Sequence, residues 1–498
     1  MSIDETPRFN SIQKYIPLLI WIICISTLLM IPLKIREYGY APIDDAHRHI
    51  GKAISGKPWN EILVMREDIT IDTNCGWHKI LGFLHHNMGW DAETLMTFSI
   101  SGLFLILAFT GLAIFQLPES WMAALLVFLI PYQGLIVRLT RGRPYIFSMA
   151  ILFMVLAIWR QNTQSRKNWG TVLVTTVLIA CATWIHGSWY LWGIVVVAFF
   201  LSRRFKDTLY LGISWICGSI IGACLTGTPV NFLWQQLRWA FDAFGRHEIQ
   251  RVLVLEFQPS SGDPRVVFLI VLLLFLICIR ENNVRRVIRD PVFMLLIIGW
   301  LFGLATKRFW IDWGLPSGIL WFGYELQRII KENSKSTEIG RLGITCFVAL
   351  ALYLGSSSDL EGRWTSQLMD KYLDENDPEL SGWLPDENGI IYSADMRDFY
   401  RTFFANPHAN WRYVLGYEPA IMREDDLTIY RDIQWNYGIT DSYLPWVEKM
   451  TSADRLFIEG NSRNQPDIPD LEWKFVGGYK WIGRLPSDEN VTSDGFEQ

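Results

Sequence analysis

Residues Tyr40–His49 read Tyr-Ala-Pro-Ile-Asp-Asp-Ala-His-Arg-His and follow closely after the first membrane-length apolar run, Ile16–Leu33. This order predicts that Asp44 and Asp45 lie at the surface of a bilayer. A carboxylate beside lipid is costly to hold unless it is solvated, paired or bound to a metal. Either these acids belong to an ordinary wet loop, or they face the head group of a lipid-linked substrate.

The composition indicates a multi-pass membrane protein. The chain has 498 residues, 50% of them hydrophobic, and a mean hydropathy of +0.18. Apolar runs of about 15 to 20 residues recur over residues 1–355 and predict about eleven membrane helices. They lie near Ile16–Leu33, Leu95–Phe115, Trp121–Val137, Ile146–Trp159, Val172–Trp184, Trp189–Leu201, Leu209–Leu225, Val266–Cys278, Val292–Ala305, Leu315–Tyr324 and Leu342–Leu354.

Basic residues predict the orientation of these helices. Lys and Arg concentrate in the loops after the fourth, sixth, eighth and tenth runs, which places these loops and the N-terminus in the cytoplasm. They are Arg160, Arg166 and Lys167, then Arg203, Arg204 and Lys206, then Arg280, Arg285, Arg286 and Arg289, then Arg328, Lys331, Lys335 and Arg341. The first loop, Lys34–Asp91, and everything after Leu354 then face outward from a cytoplasmic (inner) membrane.

Residues 356–486 have the pattern of an extracytoplasmic soluble domain. Residues 357–498 hold 27 acids against 13 Lys and Arg, whereas the whole chain holds 50 against 45. Strands are predicted at Gly389–Ser393, Arg412–Leu415, Arg455–Ile458, Leu471–Val476 and Tyr479–Ile482, and helices at Asp395–Phe404 and Asp425–Ile433. We expect a small α/β domain here, a surface helix over Trp77–Met88 in the first loop, and a disordered tail at 487–498.

The acids of the first loop have two open roles. One of Asp44 and Asp45 is a candidate base that removes a proton from an acceptor hydroxyl. Alternatively, these residues supply oxygen ligands to a divalent cation, Mg or Mn, together with another carboxylate of the loop, Glu67, Asp68 or Asp72. The further candidates for substrate contact are His47, Arg48, Asp72 and His78 in the same loop, and His186 in the stretch His186–Tyr190. An ordinary structural role fits each of these histidines as well.

A second group of candidate residues is an exception to the rule that basic residues concentrate in the cytoplasmic loops. Arg138, Arg141 and Arg143 lie on the outer side of the third and fourth apolar runs, and Lys307 and Arg308 lie on the outer side before the tenth. Guanidinium groups fork onto phosphate oxygens, and a leaving lipid phosphate gains charge in the transition state. These residues therefore predict a phosphate site, although outer arginines also bind lipid head groups without catalysis.

Together these features resemble the polytopic C-type (GT-C) glycosyltransferases, which include protein mannosyltransferases, aminoarabinose transferases and oligosaccharyltransferase subunits. The resemblance covers residues 12–355 and implies a sugar donor linked to polyprenyl phosphate. It implies that Asp44 and Asp45 are the catalytic acids and that the outer basic residues contact the phosphate of the sugar donor. The Trp-Trp-Asp-Tyr-Gly signature of oligosaccharyltransferases is absent, and Trp310–Gly314 is a loose echo of it, which argues against transfer to asparagine.

The sequence thus predicts a mainly α-helical membrane glycosyltransferase acting on a glycan, lipid or protein acceptor outside the cytoplasm. Membrane lipids are expected partners, and nucleic acid is not. A polymerase or ligase of lipid-linked glycans is an alternative within the same class. A transporter or flippase is an alternative of another class, but it predicts ionisable residues in the middle of membrane helices, and here the charges gather at the outer rim.

Overall fold

The structure is a computed structural model. It describes residues 14–129, 131–161, 169–245, 254–281, 284–332, 338–460 and 464–486. Arg166, Lys167, Lys335 and the predicted tail at 487–498 lie outside the described residues. The described residues form two compact units. The first is built from residues 1–40, 97–233 and 256–365, and the second from residues 41–96, 234–255 and 366–498.

Most of the described chain is helical. The helices, in chain order, are α1 (Ile16–Glu37), α2 (Asp45–Ser55), α3 (Trp59–Ile62), α4 (Cys75–His86), α5 (Ala92–Thr97), α6 (Leu103–Ile114), α7 (Pro118–Leu129), α8 (Gln133–Leu139), α9 (Tyr145–Gln161), α10 (Trp169–Ile185), α11 (Trp192–Leu201), α12 (Phe205–Cys224), α13 (Pro229–Gly245), α14 (Pro264–Glu281), α15 (Val284–Ile288), α16 (Pro291–Gly303), α17 (Lys307–Phe309), α18 (Leu315–Glu332), α19 (Glu338–Ser357), α20 (Met396–Ala405), α21 (Glu424–Trp435) and α22 (Leu444–Val447).

The described residues of the first unit form helices and no strand, as predicted. Four of its described helical stretches are long and apolar enough to cross a membrane, namely Ile16–Glu37, Ala92–Ile114, Phe205–Cys224 and Glu338–Ser357, and six shorter apolar helices accompany them. The described helices therefore confirm a mainly helical membrane protein, and the number of eleven spans stays a prediction. Gly218 and Gly222 bring α12 close to α10, because a Cβ on Gly222 would lie 2.5 Å from the carbonyl oxygen of Ala180.

The helices differ from the sequence prediction at two places. The single apolar run predicted at Trp121–Val137 is two helices, α7 and α8, and Pro131 lies between them, where its ring disfavours a continuous helix. Helix α13 was not predicted, because Asn231, Gln235 and Arg238 interrupt its apolar residues.

The second unit contains a five-stranded sheet of order β2-β1-β3-β5-β4. Its strands are β1 (Ile390–Tyr392), β2 (Arg412–Tyr413), β3 (Arg455–Glu459), β4 (Glu472–Gly477) and β5 (Lys480–Arg484). Strands β1, β2 and β3 are parallel, whereas β5 is antiparallel to both β3 and β4. With α20 and α21 between the parallel strands, this is the small α/β fold that the sequence predicts.

The first loop is part of this same unit. Leu63 forms an isolated bridge with Tyr413 of β2, and Met65 forms one with Met422. Trp59, Ile62 and Leu63 join the apolar core of the sheet. The helix predicted over Trp77–Met88 is present as α4. The sequence did not predict that the loop and the C-terminal domain share a core.

Candidate functional sites

The first candidate site lies at the start of α2 in the second unit. Asp44 is the N-cap residue of this helix and is 7% exposed. Its Oδ1 accepts the backbone N–H of Asp45 at 2.6 Å. A carboxylate in this position is stabilised by the helix dipole, so that the start of α2 favours a negative charge on Asp44.

Asp45 is held in an ion pair. Its Oδ1 accepts Nε of Arg48 at 2.6 Å, one turn further along α2. The Arg48 guanidinium also lies 4.2 Å from the centre of the Tyr417 ring. Asp45 therefore has a cation committed to it on its own helix.

The other predicted residues of the first loop lie close to α2. His47 is buried and its Nδ1 lies 2.5 Å from the carbonyl oxygen of Pro42. His78, on α4, lies with Nδ1 2.5 Å from Oδ2 of Asp72 and with Nε2 2.7 Å from Nδ1 of His49. The structure thus joins Asp72, His78 and His49 in one hydrogen-bonded chain, and the sequence prediction missed His49.

The protonation of this chain follows from its surroundings. Burial alone would raise the pKa of Asp72, but His78 and Lys52 outweigh it and hold that pKa at about 2. Burial lowers the pKa of His78, although Asp72 opposes the change, so that its imidazole is neutral at pH 7. Since a carboxylate can only accept, Nδ1 of His78 donates to Asp72, and its Nε2 accepts the N–H of His49.

Close packing fixes α2 in place. A Cβ on Gly51 would lie 3.0 Å from the Phe403 ring and 3.2 Å from the Phe403 carbonyl oxygen, on α20. Only glycine allows this approach without displacing a neighbour. The position of Asp44 and Asp45 at the start of α2 therefore depends on a contact in its middle.

These acids do not form a ready cation site. Divalent cations such as Mg and Mn take several oxygen ligands at once, and Asp45 is already paired with Arg48. Within the described part of the chain, no group of three or more His, Cys, Asp or Glu side chains could hold a metal ion. The requirement for a cation stays a prediction, and no step below uses one.

The second candidate site is a cluster of arginines in the first unit. Arg138 is 6% exposed, and its terminal nitrogens donate to Glu256 at 2.5 Å and to Asp312 at 2.6 Å. Arg143 donates to the same oxygen of Glu256 at 2.7 Å, and Nε of Arg308 donates to Asp312 at 3.2 Å. The structure therefore brings three of the five predicted basic residues together and adds two carboxylates to them.

The carboxylates reduce the charge of this arginine cluster. Burial would raise the pKa of Glu256, but Arg138 and Arg143 outweigh it and hold that pKa well below its usual range. Three guanidinium groups and two carboxylates leave a net charge of about one positive unit in these five side chains. Asp312 lies in a π-helical turn, Trp310–Gly314, a distortion that is frequent at functional sites.

The remaining predicted residues of the first unit lie at different distances from this cluster. His186 lies edge-on to Tyr145 at 6.5 Å between ring centres, and the Tyr145 ring also lies 4.6 Å from the Arg138 guanidinium. Arg141 and Lys307 are half-buried. The backbone N–H of Lys307 donates to the carbonyl of Gln258, which ties α17 to the segment that carries Glu256. No residue near Glu256 in the chain indicated that it belongs to this cluster.

The fold is that of the C-type glycosyltransferases. The crystal structure of ArnT, an aminoarabinose transferase from Cupriavidus metallidurans, bound to undecaprenyl phosphate, matches with a TM-score of 0.52 and 15% identity over 97% of this chain and 99% of that chain. The oligosaccharyltransferase of Archaeoglobus fulgidus, tethered to an acceptor peptide, matches with a TM-score of 0.52 and 11% identity over 87% of this chain and 68% of that chain. Neither a family model nor a curated protein matches the sequence. At these identities the likeness shows the fold, and it confirms the predicted resemblance.

Proposed function

We propose that this protein is a membrane glycosyltransferase that transfers a sugar from a polyprenyl-phosphate carrier to an acceptor outside the cytoplasm. The observation that carries the proposal is the fold, which extends over nearly the whole length of both this chain and the aminoarabinose transferase. That protein was crystallised with undecaprenyl phosphate, which is the kind of carrier that the sequence predicts here.

Asp44 is the acid we assign to the acceptor. It is the N-cap residue of α2, is 7% exposed, and is held by the backbone N–H of Asp45 at 2.6 Å. As the acceptor oxygen attacks C1 of the sugar, its hydroxyl proton passes to the Asp44 carboxylate and the bond from C1 to the phosphate oxygen breaks. General base catalysis of this kind contributes about 10² to 10⁴ in rate.

The arginine cluster is the part we assign to the leaving phosphate. The polyprenyl phosphate gains negative charge as the sugar leaves, and a fixed positive charge stabilises that change. Arg138 is held from both sides by Glu256 and Asp312, so it is preorganised rather than mobile. The orientation with an outward C-terminal domain and a cytoplasmic N-terminus is part of the same proposal.

The proposal is tested on the full chain purified in detergent with its native lipid. Mass spectrometry identifies any polyprenyl-linked sugar that copurifies, and release of polyprenyl phosphate from that compound is then followed with cell-envelope extracts as the source of acceptor. We expect release by the wild-type protein and a loss of about 10² or more in Asp44→Asn. Absence of any polyprenyl-linked compound in repeated preparations, together with no release, would overturn the proposal.

A further inference from the structure

A large cleft opens within the second unit, apart from the start of α2. It has a volume of about 1290 Å³ and lies between residues 56–72 of the first loop and residues 412–425. Its backbone is held by sheet hydrogen bonds, because the N–H of Val64 donates to the Tyr413 carbonyl at 2.9 Å and that of Arg66 donates to the Ile421 carbonyl at 3.0 Å. The cleft is therefore preformed rather than a gap between mobile loops.

The charged side chains that line the cleft nearly balance, because Lys52, Arg66, Arg412 and Arg423 face Glu67, Asp68, Asp72, Glu424 and Asp425. Asp68 accepts from Arg66 at 3.0 and 2.8 Å and from Arg238 at 3.0 Å. Asp72 accepts from His78, and Asp425 accepts from Lys449 at 2.7 Å. Because the basic and acidic lining residues are nearly equal in number, the wall offers many hydrogen-bonding groups with no strong field of either sign. A highly charged ligand would therefore gain little electrostatic binding energy in this cleft. A lipid tail would have to be buried against polar groups, which is unfavourable.

The inner end of the cleft combines an amine with an indole. The Lys52 ammonium lies 5.5 Å from the centre of the Trp59 ring and donates to the carbonyl of Lys57. Trp59 is 6% exposed, and its Nε1 has no hydrogen-bond partner among the described residues. Since that nitrogen has almost no accessible surface, a ligand in the cleft meets the indole only through the exposed part of its ring.

We infer that the cleft binds the acceptor and that the acceptor is an uncharged carbohydrate chain. Walls that are polar, carry little net charge and include an aromatic ring and an amide suit a ligand with many hydroxyl groups. The volume exceeds the range of about 300–1,000 Å³ that small ligands occupy, which favours an oligosaccharide over a single sugar. This inference rests on the proposed function and makes the protein a transferase that adds to a glycan.

The test is binding of the full chain in detergent to immobilised oligosaccharides of two to eight residues, in neutral and anionic series, and to an unstructured peptide library. We expect the neutral series to bind. Asn60→Trp, at an exposed position of the wall, should weaken binding at least tenfold by filling the cleft.

A matched pair of variants controls for charge. Arg423 lines the cleft and Arg431 does not. Both are on or beside α21, and each lies near one aspartate, at 3.8 and 3.6 Å. We expect Arg423→Ala to weaken oligosaccharide binding measurably and Arg431→Ala to leave it within twofold. Equal binding by Asn60→Trp and wild type, or binding of anionic glycans or peptides alone, would overturn the inference.

Binding of undecaprenyl phosphate, measured on the same preparations, separates the inference from the proposed function. Binding of undecaprenyl phosphate without any oligosaccharide binding would overturn the cleft as the acceptor site while supporting the proposed function. Binding of neutral oligosaccharide through the cleft without undecaprenyl phosphate would support the cleft and contradict the proposed sugar donor.

Discussion

The arginine cluster of the first unit and the start of α2 in the second unit balance their charges in different ways. Asp44 is stabilised by the helix that it caps, and Asp45 by Arg48 three residues later. Arg138, in contrast, is balanced by Glu256 and Asp312 from distant segments of the chain. The first arrangement is local and forms with a single helix. The second exists only when three segments have packed, which makes its charges interdependent.

The largest effect is expected for Arg138→Met. This change leaves Glu256 and Asp312 as carboxylates without their shared cation, and breaking a buried ion pair costs about 3–5 kcal/mol. We expect a lower thermal midpoint in detergent and loss of polyprenyl phosphate release. Adding Asp312→Leu to Arg138→Met should restore part of the thermal midpoint but not the release. If the single variant keeps the wild-type midpoint, the charges of the cluster are not interdependent.

The next effect concerns Asp44. Asparagine is as good an N-cap as aspartate, so Asp44→Asn should keep the thermal midpoint while release falls by about 10² to 10⁴. Asp45→Asn breaks the pair with Arg48 and should lower release by less than about tenfold. If Asp44→Asn releases polyprenyl phosphate at the wild-type rate, Asp44 acts only as a helix cap and is not the general base.

A smaller difference, in stability, is expected between the alanine variants of two glycines in the second unit. A Cβ on Gly51 meets Phe403 at 3.0 Å, whereas a Cβ on Gly82 has its nearest neighbour, the carbonyl oxygen of Ala53, at 3.6 Å. Gly51→Ala should therefore destabilise the protein by about 1–3 kcal/mol through overpacking. Gly82→Ala should be neutral or stabilise it, as alanine does in a helix. Equal thermal midpoints for the two variants would show that α2 is not held by this contact.

The smallest effect is a dependence on pH. The folded state lowers the pKa of His78 below the usual 6.5, so the unfolded chain binds more protons below that pH and stability falls as pH decreases from 6.5. Asp72, with its pKa held at about 2, adds stability that is present above pH 4 and lost toward pH 2. Thermal midpoints measured from pH 7.5 to 5 should decline in wild type and decline less in His78→Gln. Parallel curves would show that His78 does not titrate in this range.

Features with a local cause could be predicted from the sequence. The apolar runs predicted the helical first unit, and period and turn residues predicted the strands and helices from Gly389 to Ile482. The acidic stretch at Asp44 was found as well, because it follows an apolar run directly. In each case the residues that decide the structure are neighbours in the chain.

Features that join distant segments could not be predicted. Nothing near Glu256 indicates that its partners are Arg138 and Arg143, and nothing in the first loop indicates that Leu63 bridges Tyr413. His49 was missed for the same reason, since its link to Asp72 passes through His78 on another helix. Asp312 was visible in the run from Lys307 to Gly314, but its π-helical geometry was not.

The bridge between Leu63 and Tyr413 has a consequence for biosynthesis. The ribosome makes the first loop early, yet the strand beside which it lies is among the last parts to be made. Residues 63–65 must therefore wait, with their backbone unpaired, until the C-terminal domain has reached the same side of the membrane. A chain truncated after α19 would insert its helices but leave this loop exposed to quality-control proteases.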